Sequence, residues 1–237
     1  MNTRLINLYD NNSYLKEFEN GWGLSYYIEH NNRKIIFDTG DDSEKLQHNL
    51  DRLNINPDNI DFIILSHNHW DHTGGLKTLL DKNRDITVYF GSSFPYKFRK
   101  ELSDHNIDYF PVNELTPICK DVFVGPEMQR NGPPEIALAL RHQKGLVIIT
   151  GCAHPGIVNV IGEFQKSICK DVYMVLGGFH LCHDTANRVK EIIDGFGNLG
   201  VKRVSPCHCT GEIAINSFKK KFNRNFIQGG SGLKIEI

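Results

Sequence analysis

The stretch Asp61-Phe62-Ile63-Ile64-Leu65-Ser66-His67-Asn68-His69-Trp70-Asp71-His72-Thr73-Gly74-Gly75 joins an apolar run to a cluster of metal-ligand side chains. Ile60 to Leu65 is apolar except for Asp61, the pattern of a strand buried on both faces. His67, His69, Asp71 and His72 follow at once, so the cluster sits where that strand ends. Three imidazoles and a carboxylate so close together are hard to explain as packing. They suit zinc first, with iron and manganese as alternatives. Four candidate ligands from one segment exceed what a single tetrahedral ion takes once other ligands join, so the run points to two adjacent ions. Paired metals point to hydrolysis or group transfer.

Upstream, Leu5 to Leu8 and Leu24 to Ile28 read as strands. Arg33 to Phe37 follows the turn His30-Asn31-Asn32, which predicts a hairpin ending in Asp38-Thr39-Gly40. Leu46, Leu50 and Leu53 then share a helical face, with Asp41, Asp42 and Ser43 as N-cap candidates. Downstream of the cluster, Leu76, Leu79 and Leu80 begin another helix, and Ile86 to Phe90 another strand. Residues 92–135 carry six prolines and predict loops and short strands that cover the site.

Regularity returns after Glu135. Ile136, Leu138 and Leu140 alternate, and Gln143-Lys144-Gly145 turns the chain into Leu146 to Ile149. Helical spacing links Ile157, Val160, Ile161, Phe164 and Ile168. It also links Val189, Ile192, Ile193, Phe196 and Leu199, with Asp184 or Thr185 as the cap, and then Ala214, Phe218 and Phe222. Val172 to Leu176, Val201 to Val204 and Leu233 to Ile237 read as strands. Each half begins with strands alone and continues with strand–helix alternation, a plan that predicts two sheets packed face to face with helices outside.

The length of 237 residues suits one domain. With 40% apolar and 23% charged residues the composition is that of a globular chain. A net charge of -1 gives no electrostatic footprint for nucleic acid or a membrane surface. Lys219-Lys220-Lys221 reads as a solvated helix face. The first residues lack the apolar core of a signal peptide, and no run approaches the ~18 apolar residues of a membrane helix. The expected location is the cytoplasm, where Cys119, Cys152, Cys169, Cys182, Cys207 and Cys209 are thiols or ligands rather than disulfides.

Three further strand ends carry histidine: Gly151-Cys152-Ala153-His154-Pro155-Gly156, Gly177-Gly178-Phe179-His180-Leu181-Cys182-His183 and Pro206-Cys207-His208-Cys209-Thr210-Gly211. Ligands delivered from one edge of a sheet converge on one point. Together with His67, His69, Asp71 and His72, which match an HxHxDH signature, these segments resemble the metallo-β-lactamase superfamily in order along nearly the whole chain. The resemblance implies a four-layer αββα sandwich, with 1–237 as a single domain. It implies one metal held by His67, His69 and His154, and another by Asp71, His72 and His208. Asp38 is similar to the family's strand-end aspartate that supports a ligand histidine. The implied activity is metal-dependent hydrolysis, with metal-bound hydroxide attacking an ester, amide or phosphoryl centre of a small-molecule substrate, a phosphorylated one included.

The sequence departs from that family at one point. The strand ending at Gly177-Gly178-Phe179-His180 lacks the expected metal-bridging aspartate, and His180 is the candidate for its place, as a ligand or as a catalytic proton donor beside Asp71. A neutral imidazole offers one lone pair and bridges poorly. Cys152 and Cys182 lie two residues from His154 and His180 and share their side of extended chain, whereas Cys207 and Cys209 would point away from His208. These thiols leave an iron–sulfur or redox protein on the same fold as a rival, although their spacing matches no ferredoxin pattern. The wording GGFHL, SPCHCTG and GCAHPGI is similar to a branch containing a pterin–aminobenzene ribotide synthase, a transferase that releases pyrophosphate. His183, His30, His48, His105 and His142 lack any comparable setting and read as surface residues.

Overall fold

The computed structural model describes residues 3–130 and 132–237. The chain opens with antiparallel strands β1 (Thr3–Tyr9), β2 (Ser25–His30) and β3 (Arg33–Phe37). Asn31 and Asn32 both take left-handed backbone, φ 48° and 64°, and close the β2–β3 hairpin in two residues, as its twist requires. Helix α1 (Ser43–Arg52) follows, capped by Asp42, whose side chain accepts from the N–H groups of Glu44 and Lys45. Then come β4 (Phe62–Leu65), the short helices α2 (Trp70–Thr73) and α3 (Leu76–Leu80), β5 (Thr87–Gly91), α4 (Tyr96–Asp104) and β6 (Asp108–Val112). Strands β3 to β6 run parallel, and the first sheet has the order β13-β1-β2-β3-β4-β5-β6, where β13 is Lys234–Glu236.

The second sheet comprises β7 (Thr116–Cys119), β8 (Val122–Val124), β9 (Leu138–His142), β10 (Gly145–Thr150), β11 (Val172–Gly178) and β12 (Arg203–Cys207). Helix α5 (Ile157–Ile168) connects β10 to β11, α6 (Ala186–Asn198) connects β11 to β12, and α7 (Glu212–Phe222) follows β12. The spatial order is β12-β11-β10-β9-β8-β7, with β10, β11 and β12 parallel.

Strand periodicity builds the layers. On β4, Ile64 faces the core between the sheets, while Ile63 and Leu65 face outward onto Leu46, Leu50 and Leu79 of α1 and α3. On β10, Val147 and Ile149 face inward, while Ile148 packs outward with Ile161 and Phe164 of α5 and Phe196 of α6. Two sheets with helices on both outer faces give the αββα order expected from the sequence.

Residues 92–135 are more regular than their prolines suggest. They contain helix α4 and strands β6, β7 and β8. Pro95 stands at the start of α4, and Pro111 and Pro117 lie in β6 and β7, the edge strands of the two sheets. An edge strand tolerates a missing N–H, so proline there ends nothing. The expected short strands are present as β6, β7 and β8, helix α4 was not expected, and the part that reaches the site is the last stretch, through Gly132 and Glu135 beside His154. His30 and His142 are also not surface residues. Both are buried, and His30 Nδ1 lies 2.8 Å from the Thr3 hydroxyl. No helix among the described residues is long and apolar enough to cross a membrane.

Candidate metal centre

The candidate ligands and their support Asp38 leave the carboxyl ends of parallel strands: Asp38 from β3, His67 from β4, Cys152 and His154 from β10, His180 from β11, His208 from β12. Four residues at these exits, Asp38, Ala153, His180 and His208, have left-handed backbone, with φ of 56°, 59°, 53° and 52°. Such geometry is costly for residues other than glycine and persists where surrounding structure imposes it. It turns each strand sharply into the common edge.

The first-sheet exits are locked by one buried carboxylate. Asp38 accepts from the Ser66 N–H and hydroxyl and from His72 Nδ1, each at 2.7 Å. Since the Ser66 hydroxyl donates to Asp38, it is free to accept from His67 Nδ1, 2.9 Å away. Both rings are thereby held by Nδ1. The short helix α2 carries Asp71 and His72, and its end presses on the Asp38 turn. A Cβ at Gly75 would lie 2.2 Å from the Thr39 carbonyl oxygen, so Thr73-Gly74-Gly75 needs its glycine there.

A second carboxylate does the same on the other sheet. Glu135 accepts the N–H groups of Cys152, Ala153 and His154 at 2.9 Å each, and His154 Nδ1 at 2.8 Å. Burial opposes its charge, yet the bond from His154 and the nearby His67 hold its carboxyl far below the usual carboxylate range. His208 Nδ1 meets Asn11 Oδ1 at 2.9 Å.

The opposite nitrogens face inward in two groups, His67–His69–His154 and Asp71–His72–His208, the ligand atoms of each lying within 4.8 Å of one another. His67 Nε2 and His69 Nδ1 are 3.0 Å apart. Two nitrogens on one tetrahedral zinc stand roughly 3.3 Å apart, so the pair needs little adjustment. Asp71 Oδ2 lies 3.6 Å from His72 Nε2 and 3.5 Å from His208 Nε2. His208 Nε2 is buried with no hydrogen-bond partner among the described residues, a costly state unless another group meets it. Burial pushes the pKa values of His67 and His208 well below the ordinary histidine range, and that of His69 down as well. Neutral rings offer the lone pairs that metals take. His72 differs: burial opposes its charge, but Asp38 outweighs burial and raises it to about 9. The donor set and the orphaned nitrogen fit two metal ions.

His180 joins neither group. It is exposed, its ring centroid is 4.5 Å from that of His154, and it clusters with Cys152 and Cys209. The expectation that Cys209 points away is overturned. The left-handed turn at His208 opens a short 3-10 helix, His208–Thr210, that swings Cys209 inward. Cys207 does point away, its Sγ 3.3 Å from the Tyr26 hydroxyl. Cys182 is exposed and joins no ligand cluster among the described residues, contrary to its expected place in the pocket, and His183 is exposed as expected. Sequence reasoning missed Glu135, Asn11 and Cys209. The signal at Glu135 was a carboxylate wedged between Pro134 and a buried strand.

Residues 22–164 match the model of the metallo-beta-lactamase superfamily. The chain is 35% identical, over 90% of its length and 89% of the relative's, to the 7,8-dihydropterin-6-methyl-4-(beta-D-ribofuranosyl)-aminobenzene-5'-phosphate synthase of Methanocaldococcus jannaschii. An uncharacterised protein of the same organism is 31% identical over 97% of this chain and 98% of its own. A crystal structure described as a metal-dependent hydrolase of the beta-lactamase superfamily superposes with a TM-score of 0.83 at 30% identity, covering 99% of both chains. The two M. jannaschii matches and the solved structure each cover 90% or more of this chain and so span both sheets. The chain belongs to the metallo-β-lactamase superfamily.

Proposed function

We propose that the protein is a two-metal hydrolase of a small, anionic ester, with phosphorylated substrates the leading class. The observation that carries this reading is the convergence of His67–His69–His154 and Asp71–His72–His208 on one sheet edge, with the far nitrogens of His67, His72, His154 and His208 each held by a partner. Metals bound there would supply an activated water and polarise the substrate oxygen. The chain's own residues do the rest. Asp38 and Glu135 fix ring orientation and raise the basicity of the rings they hold. His180, at the exposed mouth, holds a proton for the leaving group; its bond with Cys209 raises its pKa.

A cavity of about 270 Å³ opens beside His154 and is lined by Arg130, Asn159, Arg188 and Glu191, with Arg188 paired to Glu191 at 2.9 Å. Arg130 offers a guanidinium beside the candidate metal site, and Arg188 offers a second on exchanging Glu191 for a phosphate or carboxylate of the substrate. The test is turnover on a panel of phosphate and carboxylic esters. His180→Asn is expected to lower kcat while metal content stays at the wild-type level, and Arg188→Ala to raise KM for anionic substrates over neutral ones. Equal loss on neutral and anionic substrates would remove the anion preference.

The similarity to the M. jannaschii synthase favours a second reading, transfer with loss of pyrophosphate. Incubation with a pterin diphosphate and an aminobenzene ribotide separates the two. Pyrophosphate released only when both are present supports transfer. Turnover of a single ester with water supports hydrolysis.

A further inference from the structure

Neither metal group contains a residue that belongs to both, and the expected bridging carboxylate is missing from the end of β11. The structure offers another atom for that place. Cys152 Sγ is buried, 3.4 Å from His72 Nε2, and lies within 4.8 Å of the ligand nitrogens of both His67 and His72. His67 belongs to one group and His72 to the other. The same sulfur is within 4.8 Å of the ligand atoms of His180 and Cys209.

We propose that the Cys152 thiolate is the ligand shared by the two metal positions. This rests on the two-metal reading above. A thiolate sulfur has several lone pairs and can bind two ions, whereas the neutral imidazole of His180 has one. Its place is also over-determined. Glu135 accepts the Cys152 N–H at 2.9 Å, Cys209 Sγ donates to the Cys152 carbonyl at 3.7 Å, and a Cβ at the preceding Gly151 would lie 2.1 Å from Ser66 Oγ. These contacts fix the backbone that carries the sulfur, and the 3.4 Å approach of Sγ to His72 Nε2 aims it at the centre. Binding transfers the Sγ proton to solvent, with no change of oxidation state at sulfur.

Sulfur between the ions makes the centre select thiophilic metals, zinc and ferrous iron, over manganese and magnesium. Cys209 serves as a positioning residue beside it. His180 is thereby released from the bridging role and remains free at the mouth of the site.

The test uses cobalt as a probe. Full-length protein is stripped of metal, then titrated with Co²⁺ without air. The wild type is expected to bind about two equivalents and to show a near-ultraviolet thiolate-to-cobalt charge-transfer band. Cys152→Ser is expected to lose the band and drop towards one equivalent. Cys152→Asp, which supplies a hard bridge, is expected to keep two equivalents without the band, and it covers the case in which the serine variant fails to fold. Cys209→Ser is expected to keep the band. A band that survives in Cys152→Asp, or a fully loaded wild type with no band, overturns the bridge while leaving the two-metal reading intact. A wild type that binds no cobalt overturns both.

Discussion

The two edges that meet at the site are built in opposite ways. The first sheet delivers His67, His69, Asp71 and His72 from one strand end and one short helix, with Asp38 holding His72 directly and His67 through Ser66. The second sheet delivers His154, His180 and His208 from three strand ends, each with left-handed backbone at or next to the ligand, braced by Glu135 and by Asn11 from outside that sheet. One edge is a local motif and the other a tertiary assembly. The local edge reaches into both metal groups through four neighbouring side chains, whereas His154 and His208 each join one group, and the assembled edge spans both through the proposed Cys152 bridge.

The largest expected effect follows from that asymmetry. His69→Ala and Asp71→Ala remove a ligand from different groups, and each is expected to reduce kcat/KM by more than the roughly 100-fold upper end seen for residues that only support a ligand. Elemental analysis beside steady-state kinetics reads both. Full metal content in the two variants would break the assignment.

Next come the two braces. Asp38→Asn and Glu135→Gln are each expected to weaken metal binding by about 10- to 100-fold, measured by competition with a chelator. Glu135 also pins three backbone N–H groups, so its variant is expected to lose more thermal stability than Asp38→Asn. The reverse order would show that the assembled edge is held by its packing instead.

A third test concerns pH in the metal-free protein. His72 is raised to about 9, against an ordinary value of about 6.5. A group raised in the folded state stabilises fully below its unfolded pKa and loses that contribution as pH rises through its folded pKa. The contribution from His72 is thus present below pH about 6.5 and fades towards 9. In Asp38→Asn this decline is expected to disappear from the curve of unfolding midpoint against pH. A decline that persists in the variant would assign it to another group.

The smallest effect is expected at Cys182, which is exposed and outside the clusters. Cys182→Ser should leave metal content unchanged and stability within about 0.5 kcal/mol. Metal loss in that variant would draw the sulfur side of the site differently.

The same asymmetry decided what the sequence disclosed. HxHxDH was legible because its residues are neighbours and their spacing is the geometry. The order of sheets and helices was legible because each half opens with strands alone and continues with strand–helix alternation, and the apolar run Ile60 to Leu65 marks a strand covered on both faces. Glu135 and Asn11 were not, because each meets its histidine across 19 and 197 residues of chain. Cys209 was misjudged because period-two reasoning assumes extended backbone, and His208 breaks it with φ 52°. In segment 92–135 the short strands were legible and helix α4 was not, because its Pro95 marks a helix start as readily as a loop.

The most direct test of the account is metal content by elemental analysis of protein purified without air, comparing wild type, His69→Ala and His208→Ala. The account predicts about two thiophilic ions per wild-type chain and fewer in each variant. Wild-type protein with no stoichiometric metal, or variants that keep both ions, would contradict it.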